Sequence, residues 1–167
     1  MSPYTILTFP ADLNNAVFGY HSTLFGDVFL VVSDDTLIFL GFGSEHTHIP
    51  KIPGLTKLER NQDATSKVLN QILINQPLTL LVQGTPFQVK VWKALCSIPS
   101  GETRSYGEIA RSIGCPSAHR AVANAIGKNP VSYVIPCHRV IQSNGNLGGY
   151  RWGSKIKKHL LDLEKSM

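Results

Sequence analysis

Ile135-Pro136-Cys137-His138-Arg139-Val140-Ile141 is the stretch on which the reading of this chain turns. It sets a thiol, an imidazole and a guanidinium at three successive positions inside an apolar run. The thiolate, not the thiol, is the nucleophile, so a reactive cysteine needs a base or a positive charge beside it. His138 can take the proton, and Arg139 adds positive potential. The apolar flanks predict a strand end or turn tucked into the protein. Pro136 restricts its neighbours' backbone and helps fix the direction of the thiol. The competing reading is a buried cysteine acting as a small hydrophobe. Adjacent residues on a strand also face opposite ways, so the flanking sequence has to decide.

Asn129-Pro130 lies upstream of this core, and Gly148-Gly149-Tyr150-Arg151-Trp152-Gly153 lies downstream. Core and flanks together closely resemble the active-site region of the O6-alkylguanine-DNA alkyltransferases. The resemblance is strong over residues 85–164 and weak over the first half. It implies an α/β (α+β) fold: a ribonuclease-H-like N-terminal domain at residues 1–83, then a mostly helical, winged helix-turn-helix domain at 84–167. It implies a single-use repair protein that moves an alkyl group from O6 of guanine in DNA, with O4-alkylthymine as a second lesion, onto Cys137. By the same resemblance, His138 deprotonates the thiol through water, and Glu164 orients the imidazole. Asn129 braces the active-site turn. Tyr106 turns the phosphate and donates to the departing base. Arg120 enters the duplex in place of the extruded nucleotide, on a helix whose Ala118 and Ala121 meet the minor groove. The carbonyls of Cys137 and Val140 accept from the guanine amino group, Tyr150 covers the base, and the Arg151 backbone N–H meets O6. The acceptor is the thiol itself, so no cofactor and no metal are expected. The partner is double-stranded DNA and the protein a monomer. His119 departs from the family pattern, which has a small or apolar residue there.

Composition agrees with this picture. The chain has 167 residues, enough for one domain or two small ones, with 43% apolar and 16% charged residues. No run approaches the ~18 apolar residues that span a bilayer. Met1-Ser2-Pro3-Tyr4 lacks the basic and apolar regions of a signal peptide. A cytoplasmic protein is expected, or a nuclear one in a eukaryote. Cys96, Cys115 and Cys137 form no C-x-x-C pair and leave an odd count, which suits a reducing compartment and working thiols. Cys96 and Cys115 are expected to be non-catalytic. His21, His46 and His48 have no ligand pair at metal spacing. Residues 1–83 carry four basic and seven acidic side chains, whereas residues 84–167 carry twelve and four. A net +8 on one half points that half at a polyanion.

Periodicity divides the chain at Gln83-Gly84. Residues 4–9, 16–20 and 78–82 read as strands, and 28–32 with 36–42 as a hairpin around Ser33-Asp34-Asp35. Residues 45–53 read as loop, and Asp63 as the cap of a helix carrying Val68, Leu69, Ile72 and Leu73. In the second half, Thr85-Pro86 opens a helix whose apolar stripe is Phe87, Val91, Ala94, Leu95 and Ile98, with Trp92 packing. Ser105-Tyr106-Gly107-Glu108 is a capping box, and Gly114 closes that helix. A further helix is expected over 117–126, stopped by Gly127, which makes a helix-turn-helix. Ala118, Ala121, Ala123 and Ala125 line it, and small side chains suit a minor groove about 6 Å wide. Ser143-Asn144-Gly145-Asn146 is a turn. The last helix starts at Ser154, with Ile156, Leu160 and Leu163 inward and Glu164 one position beyond that stripe. Lys128 and Arg139 contact either phosphate or the protein itself.

Two rivals remain at this point. An alkyltransferase-like module would flip and flag damaged bases without transfer, but such modules lack the cysteine. A Cys-His hydrolase acting on small molecules would not need the basic, alanine-lined helix pair.

Overall fold

The computed structural model describes residues 2–8 and 13–167. The chain divides after Gln83 into two compact units, Pro3–Gln83 and Gly84–Met167, the second taking in Ser2 as well.

The first unit is a mixed six-stranded sheet with one helix. Its strands are β1 (Tyr4–Thr8), β2 (Leu13–Thr23), β3 (Gly26–Ser33), β4 (Thr36–Phe42), β5 (Leu55–Arg60) and β6 (Leu78–Val82), and the helix α1 is Gln62–Leu73. Spatial order is β1-β6-β4-β3-β2-β5, with β2-β3-β4 an antiparallel meander and the outer pairings parallel. The β3–β4 hairpin turns through Asp34 and Asp35, both left-handed at φ 44° and 61°. That geometry matches the twist of the flanking strands, and aspartate tolerates it better than most residues. Residues 28–32 and 37–42 are buried at every position, which is why they read as near-continuous apolar runs. Three expectations change. The cap of α1 is Asn61, whose side chain accepts from the Ala64 N–H; Asp63 sits inside the first turn. Strand β2 runs well beyond residues 16–20 at both ends. Strand β5 escaped notice because Thr56, Lys57, Glu59 and Arg60 leave it exposed, with no apolar alternation to read. Phe9, the expected end of the first strand, lies outside the described residues.

The second unit is mostly helical: α2 (Pro86–Leu95), β7 (Arg104–Ser105), α3 (Tyr106–Ser112), α4 (His119–Gly127), a 3₁₀ turn at Cys137–Arg139, β8 (Val140–Ile141) and α5 (Ser154–Ser166). Capping boxes start α2, through Thr85 and Gln88, and α3, through Ser105 and Glu108. Helix α3 ends in a Schellman arrangement: Gly114 N donates to Arg111 O and Cys115 N to Ala110 O, with Gly114 at φ 76°. Helix α4 begins two residues later than expected, with Ala118 as its cap and Gly127 as its last helical residue. Val122, Ala125 and Ile126 face its core side, and the buried Trp92 donates from Nε1 to Ala125 O at 2.9 Å. Strand β7 pairs in parallel with β8, Arg104 with Val140 and Ser105 with Ile141, which sets the start of α3 beside the Cys-His-Arg turn.

Candidate active site

The site begins with Asn129, just past α4. Its Nδ2 donates to Ile135 O at 2.8 Å, and its Oδ1 accepts from Val131 N at 2.9 Å. One buried amide thus ties off both ends of the segment leading to Cys137. Tyr133 within this segment adopts φ 70°, unfavourable for a bulky side chain. Its ring stacks on His138 at 6.1 Å between centroids and 7° between planes.

Cys137 is 6% exposed and His138 fully enclosed. Burial pushes the Cys137 thiol up, opposed by the Asn129 side chain, the Lys157 charge and the nearby Tyr150 hydroxyl. The Tyr150 hydroxyl is itself buried and makes no hydrogen bond of good geometry, so its influence on the sulfur is one of proximity. Burial likewise holds His138 below its ordinary value, against the pull of Glu164. His138 Nε2 lies 2.7 Å from Glu164 Oε1. An ionised carboxylate only accepts, so Nε2 carries the hydrogen, and Nδ1 is left with its lone pair free to act as a base. Nδ1 is buried and meets no hydrogen-bond partner among the described residues.

Glu164 is held from four directions. Besides His138, Arg139 Nε reaches its two oxygens at 3.2 and 3.0 Å, and Arg139 Nη2 reaches Oε1 at 2.8 Å. Gly101 N donates to Oε2 at 3.3 Å. Burial alone would raise this carboxyl; the hydrogen bonds from His138 and Arg139 overcome it and bring it down to about 2. Arg139 Nη1 also donates to Ile98 O at 2.6 Å. The open question about Arg139 is therefore decided in favour of the protein's own framework.

A cavity of about 330 Å³ opens over Cys137. Ala123, Ile126 and Gly127 of α4 form one side of its lining, Tyr106 of α3 contributes from another element, and Asn129 and Ser132 line it as well. Gly149, Tyr150 and Arg151 supply the loop side. Trp152 ties that loop to Ser132, Nε1 donating to Oγ at 2.7 Å, and Arg151 lies over the Trp152 ring at 5.1 Å. Gly148, at φ 71°, lets the Tyr106 hydroxyl pass close: a Cβ there would lie 3.4 Å from it. Arg120 and Ala121 are exposed on α4, outside the cavity, and Ala118 is half-buried at its cap. His119 is exposed, beside Gly107.

Val140 is not among the residues that line the cavity, and its carbonyl accepts from Lys157 Nζ at 2.7 Å, which leaves the second lone pair of that oxygen for another donor. The stripe on α5 is displaced: Lys157, Leu160, Leu161 and Glu164 are buried, while Ile156 and Leu163 are half-buried. Lys157 was missed because a lysine is rarely enclosed. Cys96 and Cys115 are half-buried and do not line the cavity, and burial pushes the Cys96 thiol up to about 11. Among the described residues, no group of His, Cys, Asp and Glu is arranged to hold a metal, and no helix is long and apolar enough to cross a membrane.

Residues 86–166 match the family model described as the 6-O-methylguanine DNA methyltransferase DNA-binding domain. The chain is 50% identical over 113 residues to a methylated-DNA–protein-cysteine methyltransferase of Methanosarcina mazei, covering 64% of this chain and 72% of that protein. It is 59% identical over 85 residues to the Mycobacterium tuberculosis protein of the same name, covering 51% of this chain and 52% of that protein. The sequence alignment with that second relative thus spans only about half its length. In three dimensions the chain is similar to M. tuberculosis OGT crystallised in complex with DNA, at TM-score 0.77 and 39% identity, over 90% of this chain and 93% of that one. The sheet unit followed by a helical unit is shared with it. An enclosed Cys-His-Glu series beneath a helix pair, with relatives matching across it, places this chain in the methylated-DNA–protein-cysteine methyltransferase family.

Proposed function

We propose that the protein repairs DNA by taking the alkyl group of an O6-alkylguanine, and of O4-alkylthymine as a second lesion, irreversibly onto Cys137. The observation that carries this reading is the series Cys137, His138, Glu164, in which Cys137 lines a base-sized cavity and His138 Nδ1 is turned away from Glu164. Double-stranded DNA is the partner, met as a monomer, in the cytoplasm or in the nucleus of a eukaryote.

O6 of a stacked guanine cannot reach a buried thiol, so the nucleotide must leave the helix. Unstacking costs a few kcal/mol, and a side chain inserted in its place offsets part of that. Arg120 takes this role, exposed on α4 with Ala121 beside it and Ala118 at the cap. Those small residues let α4 approach the narrow groove. The flipped base enters between α4 and the 149–151 loop, covered by Tyr150, with the Arg151 backbone N–H directed at O6.

His138 Nδ1 removes the Cys137 proton through a water molecule, and ionised Glu164 stabilises the imidazolium that forms. The sulfur attacks the alkyl carbon in line, the S–C bond forming as the C–O6 bond breaks. Tyr106 donates to the departing guanine. In sum the thiol proton ends on guanine and the alkyl group on sulfur. The product is a thioether with no carbonyl for water to attack, so each chain acts once.

The test is a duplex carrying labelled O6-methylguanine. One label per chain should move to the protein, adding about 14 Da (one CH₂) to the peptide holding Cys137. Cys137→Ser should still bind the duplex and acquire no label. Loss of the lesion with Cys137 unmodified would refute the assignment.

A further inference from the structure

Lys157 has no part in the chemistry above, yet its side chain is wholly enclosed. Its ammonium donates to three backbone carbonyls: Val140 O at 2.7 Å, Leu147 O at 2.5 Å and Gly149 O at 3.2 Å. The Tyr150 ring lies 6.0 Å from Nζ. Among the described residues no carboxylate pairs with it, although Glu164 lies on the same buried face of α5. Seven residues along a helix are about 10 Å, and Glu164 is already held by His138 and Arg139. An enclosed ammonium without an anion is costly, and carbonyl dipoles offset only part of that cost. Burial brings Lys157 down to about 8, and the one charge that opposes this is on Cys137, which Lys157 in turn favours in its ionised form.

We propose that Lys157 is a positioning residue with two linked tasks: it pins residues 147–149, the approach to the base-covering loop, against β8, and it is the buried counter-cation of the Cys137 thiolate. Helix α5 then serves both halves of the reaction from one face, a cation for the nucleophile and an anion for its base. The anchor matters for geometry because Gly149, itself pinned, and Tyr150, next in the chain, both line the cavity. The charge matters for rate because the thiolate forms in an apolar setting that otherwise opposes it.

This inference rests on Cys137 being the acceptor, and its test uses a readout that needs no DNA. Thiolate formation is followed by absorbance at 240 nm as the difference between the protein and its Cys137→Ser counterpart. Lys157→Met, close in volume and uncharged, should move the ionisation midpoint of Cys137 up by about one unit and slow methyl transfer about tenfold at neutral pH. Affinity for undamaged duplex should stay unchanged, since α4 supplies that contact. A folded Lys157→Met variant with an unmoved midpoint would overturn the proposal, whatever the transfer assay shows. If that variant does not fold, the unsubstituted protein still decides. The ¹⁵Nζ resonance of Lys157 should shift when Cys137 is alkylated by iodoacetamide, and an unshifted resonance would overturn the proposal equally.

Discussion

Glu164→Gln separates the carboxylate's charge from its shape. In the folded protein the carboxyl is held at about 2, against a reference of 4.5. At 1.36 kcal/mol per unit, that difference corresponds to about 3 kcal/mol of stability at neutral pH. The folded value is the lower one, so the unfolded chain binds the extra proton between the two. The contribution is therefore complete above about pH 5 and drains away as pH falls toward 2. His138, held neutral by burial, adds a loss of its own that starts earlier, below about pH 6.5. Both tryptophans, Trp92 and Trp152, lie in the second unit, so their fluorescence follows that unit's unfolding in urea. The parent should lose stability steeply from pH 5 to 3. Glu164→Gln should be about 3 kcal/mol weaker at pH 7, with a flatter acid limb that converges on the parent's near pH 2–3. Methyl transfer should fall about a hundredfold or more, because the imidazolium loses its anion. Parallel pH curves with a constant offset would refute the reasoning, since packing alone would then account for the loss.

Two further substitutions probe separate parts of the site. Arg120→Ala should slow repair of duplex about tenfold or more, yet leave reaction with free O6-benzylguanine near the parent rate; equal losses would remove Arg120 from base extrusion. Asn129→Ala leaves Val131 N buried without its partner and Ile135 O with only the Cys137 N–H at 2.8 Å, and should cost about 2 kcal/mol of stability, measured by the same urea titration. A cost below about 1 kcal/mol would show that the segment 130–135 holds itself.

The legible parts of this chain were those where local chemistry and tertiary role coincide. Ser105 with Glu108, and Thr85 with Pro86, are caps that need only their own neighbours, so they could be placed to the residue. The β3–β4 hairpin was equally plain, because its strands are apolar throughout and its turn is Asp-Asp. The resemblance around Cys137 brought Glu164 into view, although its helical pattern alone marked it as solvated. What remained hidden were charges set against their usual preference. Lys157 and Glu164 occupy the buried face of α5, so the apolar period there pointed one residue away from the true one. Arg139 could not be assigned because its partners lie 25 and 41 positions away in sequence. Strand β5 was hidden for the opposite reason, as an edge strand that buries too little to leave a pattern.

Burial of the Cys137 sulfur has a consequence outside the reaction itself. A reagent consumed on first use must keep until it is needed. Peroxide and disulfide exchange select exposed thiolates, and at rest this sulfur is only 6% exposed, with burial working against its ionised form. The same enclosure that makes activation costly is thus a form of storage. It leaves the one usable sulfur unspent by passing oxidants, so that the number of intact chains, rather than their turnover, sets how many lesions a cell can erase.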